Sequence, residues 1–194
     1  MFSLEDGRQL VGLARRAVEK YFEKGKLEIE ETKFREKRGV FTSIHTYPER
    51  ILRGCIGYPY PEFQLGEGVQ RSAFCAAFQD PRFEPLKKEE LDNVIFEISI
   101  LTKPQLISVR DPEEYRKKIK IGKDGVLLVF GSYSSLLLPQ VAIEFGWDVE
   151  TFLSNLCLKA GLPAVAWKFK EVKIYRFQAQ IFSEKRPKGE IVEL

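Results

Sequence analysis

The chain has 194 residues, 44% hydrophobic and 30% charged, a composition typical of a folded globular protein rather than a disordered or collagen-like one. The net charge of +3 is too small to mark an obligatory nucleic-acid binder. No run approaches about 18 uninterrupted apolar residues, and the first residues lack a signal-peptide pattern, so a cytoplasmic protein without a membrane partner is expected. The surplus of Lys and Glu beside a single Met suggests a heat-adapted source.

The cysteines and the single histidine limit the chemistry available. Cys55, Cys75 and Cys157 are odd in number and form no C-x-x-C pair, which argues against a disulfide framework and a zinc site. No glycine-rich phosphate loop is present. We therefore expect no metal and no cofactor, a reducing compartment, and packing roles for Cys75 and Cys157 in predicted helices.

The first half of the chain predicts a helix, a hairpin, a second helix and a strand. Ser3 and Asp6 have the spacing of a capping box ahead of apolar residues three and four apart, and Gly25 ends this helix. The β-rich runs VFTSIHT and ILRGCIG are joined by a turn containing Pro48, which predicts a hairpin. Residues 66–80 predict a helix, and VIFEISILT predicts a strand.

The second half repeats this order of elements. Asp111 is expected to cap a short helix, VLLVF and SLLLP to form a hairpin, and residues 141–145 and 149–160 to form helices. KEVKIYRFQAQIF alternates as one strand, and the charged tail after it is expected to be loosely held. The sequence thus predicts an α+β fold, mainly antiparallel sheets with flanking helices, in a single domain over residues 1–194. A ββαβ duplication forming two subdomains is a further hypothesis.

The most distinctive segment surrounds Cys55, in the sequence Arg53-Gly54-Cys55-Ile56-Gly57. The two glycines leave room for a ligand close to the main chain, and Arg53, on the same strand face as the thiol, favours a thiolate. The pattern predicts an activated cysteine or a backbone anion site beside it. The alternative is a buried cysteine that packs as a small hydrophobe.

Whether His45 serves Cys55 depends on the hairpin register. With Thr46 opposite Ile51 the imidazole lies on the face away from the thiol, whereas with Tyr47 opposite Ile51 both point the same way. We favour the second register because it separates apolar from polar side chains more cleanly. A Cys–His dyad is then a hypothesis, and an exposed surface histidine is its alternative.

Three further residues carry charge near this segment. Asp80 and Arg82, in Asp-Pro-Arg-Phe, either hold a polar substrate or fix a turn. Glu97 lies between apolar neighbours on a strand, and we expect its side chain to face solvent. The alternative is a buried partner, for which Arg53 or Arg82 is proposed. The basic run at 116–123 is interpreted as a solvated helix face rather than a phosphate site.

Several ordered blocks resemble the AMMECR domain family: GVFTSI, the hallmark LRGCIG, DPRF, LDNVIFEISILT, IGKDG, LPQV and GWD. The resemblance implies an α+β domain with two subdomains and a cleft near the cysteine motif. It also implies Memo-like and radical SAM pathway partners and leaves a homodimer open. It does not imply an established activity.

Two functional hypotheses of different classes follow. The first is an enzyme or small-ligand-binding domain with a cleft centred on residues 53–57 and Cys55 as nucleophile. The second is a non-catalytic protein-interaction module. A nucleic-acid-related regulatory protein is a third hypothesis, disfavoured because no basic stripe is present. The residues expected to bind the ligand are Arg53, Gly54, Gly57, Asp80, Arg82, Glu97 and, at the second hairpin-to-helix junction, Gln140.

Overall fold

The computed structural model describes all 194 residues, which form two compact units. Unit one comprises residues 1–101 and 180–194, and unit two comprises residues 102–179. No helix is both long enough and apolar enough to cross a membrane. In chain order the elements are α1 (Leu4–Lys24), β1 (Val40–Thr46), β2 (Leu52–Tyr58), α2 (Leu65–Phe78), β3 (Val94–Leu101), β4 (Gln105–Leu106), α3 (Tyr115–Lys118), β5 (Gly125–Phe130), β6 (Tyr133–Leu137), α4 (Pro139–Glu144), α5 (Val149–Lys159), β7 (Lys173–Phe177), β8 (Ala179–Glu184) and β9 (Ile191–Glu193).

Unit one is a five-stranded sheet, in the order β2-β1-β3-β8-β9, covered on one face by α1 and α2. The predicted capping box of Ser3 and Asp6 starts α1, and Gly25, with φ 70°, ends it. The helices bury their apolar residues against alternate residues of the strands, among them Ile44 and Ile98. The intervening strand residues lie on the other face, which carries neither helix of this unit.

Unit two is a four-stranded sheet in the order β4-β7-β5-β6. Its core includes Leu128, Phe152, Trp167 and Ile174, and α5 supplies part of it. The strand β5 pairs antiparallel with both β6 and β7, as β1 does with β2 and β3 in unit one. The hypothesis of a duplication requires this shared order, and the duplication itself stays a prediction.

Two predictions about the C-terminal segment are wrong. KEVKIYRFQAQIF forms two strands rather than one, because β7 and β8 belong to different sheets and part at Gln178, whose backbone bonds to Thr102. The alternation of side chains continues through this break and so does not reveal it. The tail is not loosely held either, since β9 pairs with β8 and Ile191 is buried.

Candidate functional site

The hairpin of β1 and β2 combines both registers considered from the sequence. From Val40 to Ile44 the favoured register is confirmed, with Ser43 opposite Cys55. Near the turn the register shifts, so that His45 pairs with Leu52 and Thr46 N–H bonds to Ile51 O. Such a shift is a β-bulge, with an extra residue on one strand.

The thiol of Cys55 lies on the sheet face opposite the helices, which we call the thiol face. Thr42 marks the helix face, because its hydroxyl lies 2.7 Å from the Ser72 hydroxyl of α2. Ser43 therefore points to the thiol face, where its Oγ donates a hydrogen bond to Cys55 Sγ at 3.2 Å. A donor aimed at sulfur stabilises the thiolate more than the thiol.

The glycines of the motif have packing roles. A Cβ on Gly54 would lie 2.1 Å from the carbonyl oxygen of Ala76, so the glycine allows α2 to lie directly on β2. A Cβ on Gly57 would lie 2.3 Å from the ring of Phe41. The room that the sequence assigned to a ligand is occupied here by the protein itself.

Asp80 and Arg82 bind the main chain of Cys55 at the outer edge of β2. Cys55 N–H donates to Asp80 Oδ2 at 2.9 Å, and Arg82 Nη2 donates to Cys55 O at 3.1 Å. Arg82 also donates to both carboxylate oxygens of Asp80, which lowers the pKa of that acid to about 2. The two side chains thus provide hydrogen bonds to the N–H and C=O groups of Cys55 at the edge of the sheet, as a further strand would. The Arg82 side chain stays 53% exposed, beside the site.

Arg53 is engaged elsewhere. Its Nε and Nη2 donate to the two carboxylate oxygens of Glu90 at 2.8 and 3.1 Å, and its Nη1 donates to Glu84 O at 2.9 Å. This bidentate pair ties β2 to the 3₁₀ turn at Lys88–Asn93. Arg82, rather than Arg53, is therefore the cation that borders the main chain of Cys55.

Glu97 continues a polar row across the sheet. It lies opposite Ser43 on β3 and is only 6% exposed, so the expectation of a solvent-facing side chain is wrong. Its charged partner is neither Arg53 nor Arg82 but Arg50, whose Nη2 lies 3.2 Å from Glu97 Oε2. We call Cys55, Ser43 and Glu97, on three neighbouring strands, the polar row.

Arg50 was missed by the sequence reasoning. It lies in the hairpin turn with a left-handed backbone, φ 57°, which costs a residue with a side chain about 1–2 kcal/mol. Its guanidinium extends over the thiol face, where Nη2 contacts both Glu97 and, at 3.4 Å, Ser183 Oγ of β8. No residue pattern in the sequence predicts a left-handed backbone at this position. Backbone strain of this kind is common at functional sites.

His45 lies two residues from Ser43 on the same strand and therefore on the thiol face. It is half-buried, and burial, assisted by the charge of Arg50, lowers its pKa to about 4. Its Nδ1 is shielded from solvent and has no hydrogen-bond partner. A neutral imidazole with an unused ring nitrogen thus flanks the polar row at pH 7.

The remaining predicted residue, Gln140, lies in α4 of unit two. Its side-chain oxygen is shielded from solvent and lacks a hydrogen-bond partner. Its role in ligand binding stays a prediction. Across the chain, no group of three or more His, Cys, Asp or Glu side chains is arranged to hold a metal ion.

The fold defines an α+β protein with two mainly antiparallel sheets flanked by helices. The AMMECR1 family model matches residues 11–182, and the chain therefore belongs to the AMMECR1 family. The LRGCIG segment lies within the matched residues.

Similar proteins come from archaea, several of them thermophilic. Protein MJ0810 of Methanocaldococcus jannaschii is 51% identical over 100% of this chain and 97% of its own length. Protein Ta0236 of Thermoplasma acidophilum is 51% identical over 96% of this chain and 91% of its own. The crystal structure of the uncharacterized protein PH0010 from Pyrococcus horikoshii has a TM-score of 0.92 and 47% identity, covering 97% of this chain and 96% of that one.

Proposed function

We propose that this protein is an enzyme that acts on a small molecule through the thiol of Cys55. The observation that carries the proposal is the hydrogen bond from Ser43 Oγ to Cys55 Sγ within the polar row. A cysteine that only packs needs no such donor, because apolar neighbours satisfy it. In the proposed reaction the thiolate adds to the carbon of a carbonyl group of the ligand. The C–S bond forms as the C=O π bond breaks, the electron pair moves to the oxygen, and that oxygen takes up a proton from water.

The surrounding groups have distinct roles in this proposal. Ser43 stabilises the thiolate by its hydrogen bond, and the neutral imidazole of His45 forms a hydrogen bond with the ligand. Arg82, half exposed beside Cys55, binds an anionic group of the ligand. The ion pair of Arg50 with Glu97 holds the turn against the thiol face. A reducing compartment such as the cytoplasm suits a site that depends on a reduced thiol.

Competitive labelling within one molecule tests the proposal. Cys75 is the internal control, because it is half-buried like Cys55 and takes no part in the polar row. With limiting iodoacetamide at pH 7, we expect Cys55 to be alkylated roughly tenfold faster than Cys75, as measured by mass spectrometry of the two peptides. Equal rates, or slower labelling of Cys55, would contradict an activated thiol.

A second arm separates an enzyme from an interaction module. A cell extract is divided by ultrafiltration, and each fraction is tested for protection of Cys55 against iodoacetamide. An enzyme for a small molecule predicts protection by the low-molecular-mass filtrate. Protection by the protein fraction alone would favour the non-catalytic interaction module instead.

A further inference from the structure

Unit two contains a cavity of about 360 Å³ with a basic lining, separate from the residues of the polar row. Three cations, Lys120, Lys123 and Arg176, line it together with the amides of Gln105 and Gln178. The volume lies at the lower end of the range for small-molecule sites. The sequence had assigned this basic run to a solvated helix face, yet both lysines follow the end of α3 at Lys118.

A locked turn positions the two lysines. Asp124 is 3% exposed, and its Oδ2 accepts the backbone N–H of Lys120 at 2.9 Å. The carbonyl of Lys120 in turn accepts the N–H groups of Lys123 and Asp124, and Gly122 allows the turn with φ 78°. These bonds fix the backbone of the turn from which both lysines reach the lining of the cavity.

Arg176 contributes the third cation from the sheet. It lies on β7, directly opposite Gln105 of β4, and its Nη1 donates to Lys118 O at 3.2 Å. That single bond to a carbonyl leaves most of the guanidinium donors available. The sheet and the turn thus bring positive charge to one cavity from different parts of the chain.

The three cations have no acidic partner. None of them forms an ion pair within 4.0 Å, whereas many other lysines and arginines of this protein do. The only carboxylate in the lining, that of Asp124, bonds to Lys120 N–H and, at 3.4 Å, to the amide Nε2 of Gln178. Positive charges gathered in a cleft raise the local potential and attract anions.

We propose that this cavity binds a small phosphorylated molecule. A phosphate group carries enough charge and enough acceptor oxygens for two ammonium groups and one guanidinium, and it matches the fork of an arginine. Gln105 and Gln178 supply neutral hydrogen bonds to the rest of the ligand. The proposal concerns unit two alone and does not depend on the chemistry of Cys55.

Isothermal titration calorimetry with pyrophosphate tests the site on the full chain. We expect saturable binding that weakens by roughly tenfold or more in the double variant Lys120→Gln, Lys123→Gln, because both charge-assisted contacts are lost. Lys117→Gln is the matched control, an exposed lysine of the same basic run outside the cavity. Its affinity should stay within about twofold of the wild type. Circular dichroism verifies that each variant is folded.

Two results of the pyrophosphate titrations would overturn the proposal. One is the absence of saturable heat with pyrophosphate at millimolar concentration. The other is an equal loss of affinity in the control and the double variant, which would show general attraction to a basic surface. A parallel titration with single-stranded oligo-dT distinguishes a small phosphorylated ligand from a nucleic-acid backbone. Binding of oligo-dT in preference to pyrophosphate would refute a small-molecule site in favour of a nucleic-acid backbone.

Discussion

Replacing Ser43 with alanine tests the activation of Cys55 most specifically. The substitution removes one donor, at 3.2 Å from Sγ, and removes none of the main-chain hydrogen bonds that pair β1 with β2. A hydrogen bond to a charged group contributes about 1.5–3 kcal/mol. One pKa unit corresponds to about 1.4 kcal/mol, so the pKa of the Cys55 thiol should rise by about one to two units in Ser43→Ala. The assay is the rate of iodoacetamide labelling of the Cys55 peptide as a function of pH.

Thr42→Val is the matched control for this experiment. It also removes a buried hydroxyl from β1, but one that faces α2 and contacts Ser72. It should reduce stability without moving the titration of Cys55. A pH profile that is unchanged in Ser43→Ala, or that shifts equally in both variants, would refute the claim that the Ser43 hydroxyl stabilises the Cys55 thiolate.

Three further substitutions have defined outcomes. Because the pKa of Asp80 is lowered, its ionised carboxylate stabilises the fold fully above about pH 4, and this stabilisation is lost as the pH falls through about 2. Asp80→Asn should therefore reduce the free energy of unfolding by about 2 kcal/mol at pH 7, as measured by urea unfolding. Because the pKa of His45 is lowered in the folded protein, the unfolded chain takes up this proton at a higher pH than the folded chain does. The free energy of unfolding should therefore fall by up to about 3 kcal/mol between pH 6.5 and pH 4. His45→Gln should remove this contribution to the pH dependence of stability. Gly54→Ala should destabilise the fold by about 1–3 kcal/mol or more, because the added methyl group meets the backbone of Ala76; a neutral effect would show that the close approach of α2 is unnecessary.

The sequence predicted what depends on local pattern. The capping box of Ser3 and Asp6 and the period of the apolar residues were sufficient for α1. The separation of polar from apolar side chains was sufficient for the register that places Ser43 beside Cys55. Both features are set by residues within one or two neighbouring elements.

The partners of the charged residues could not be predicted, because they depend on backbone irregularities. The register shift near His45 and the left-handed turn at Arg50 changed which side chains meet. Arg50, not Arg53, therefore reaches Glu97, and Arg53 pairs with Glu90 instead. The alternation of apolar and polar residues along a strand does not reveal an extra residue or a positive φ.

The most direct test of the account is the absolute pKa of the Cys55 thiol in the unmodified protein. A titration of its alkylation rate between pH 5 and 10, followed on the isolated peptide, gives this value. The account predicts an apparent pKa clearly below the value of about 8.5 for an unperturbed cysteine. A thiol that titrates at or above that value, or that does not react at all, would contradict the proposed nucleophile and leave Cys55 as a packing residue.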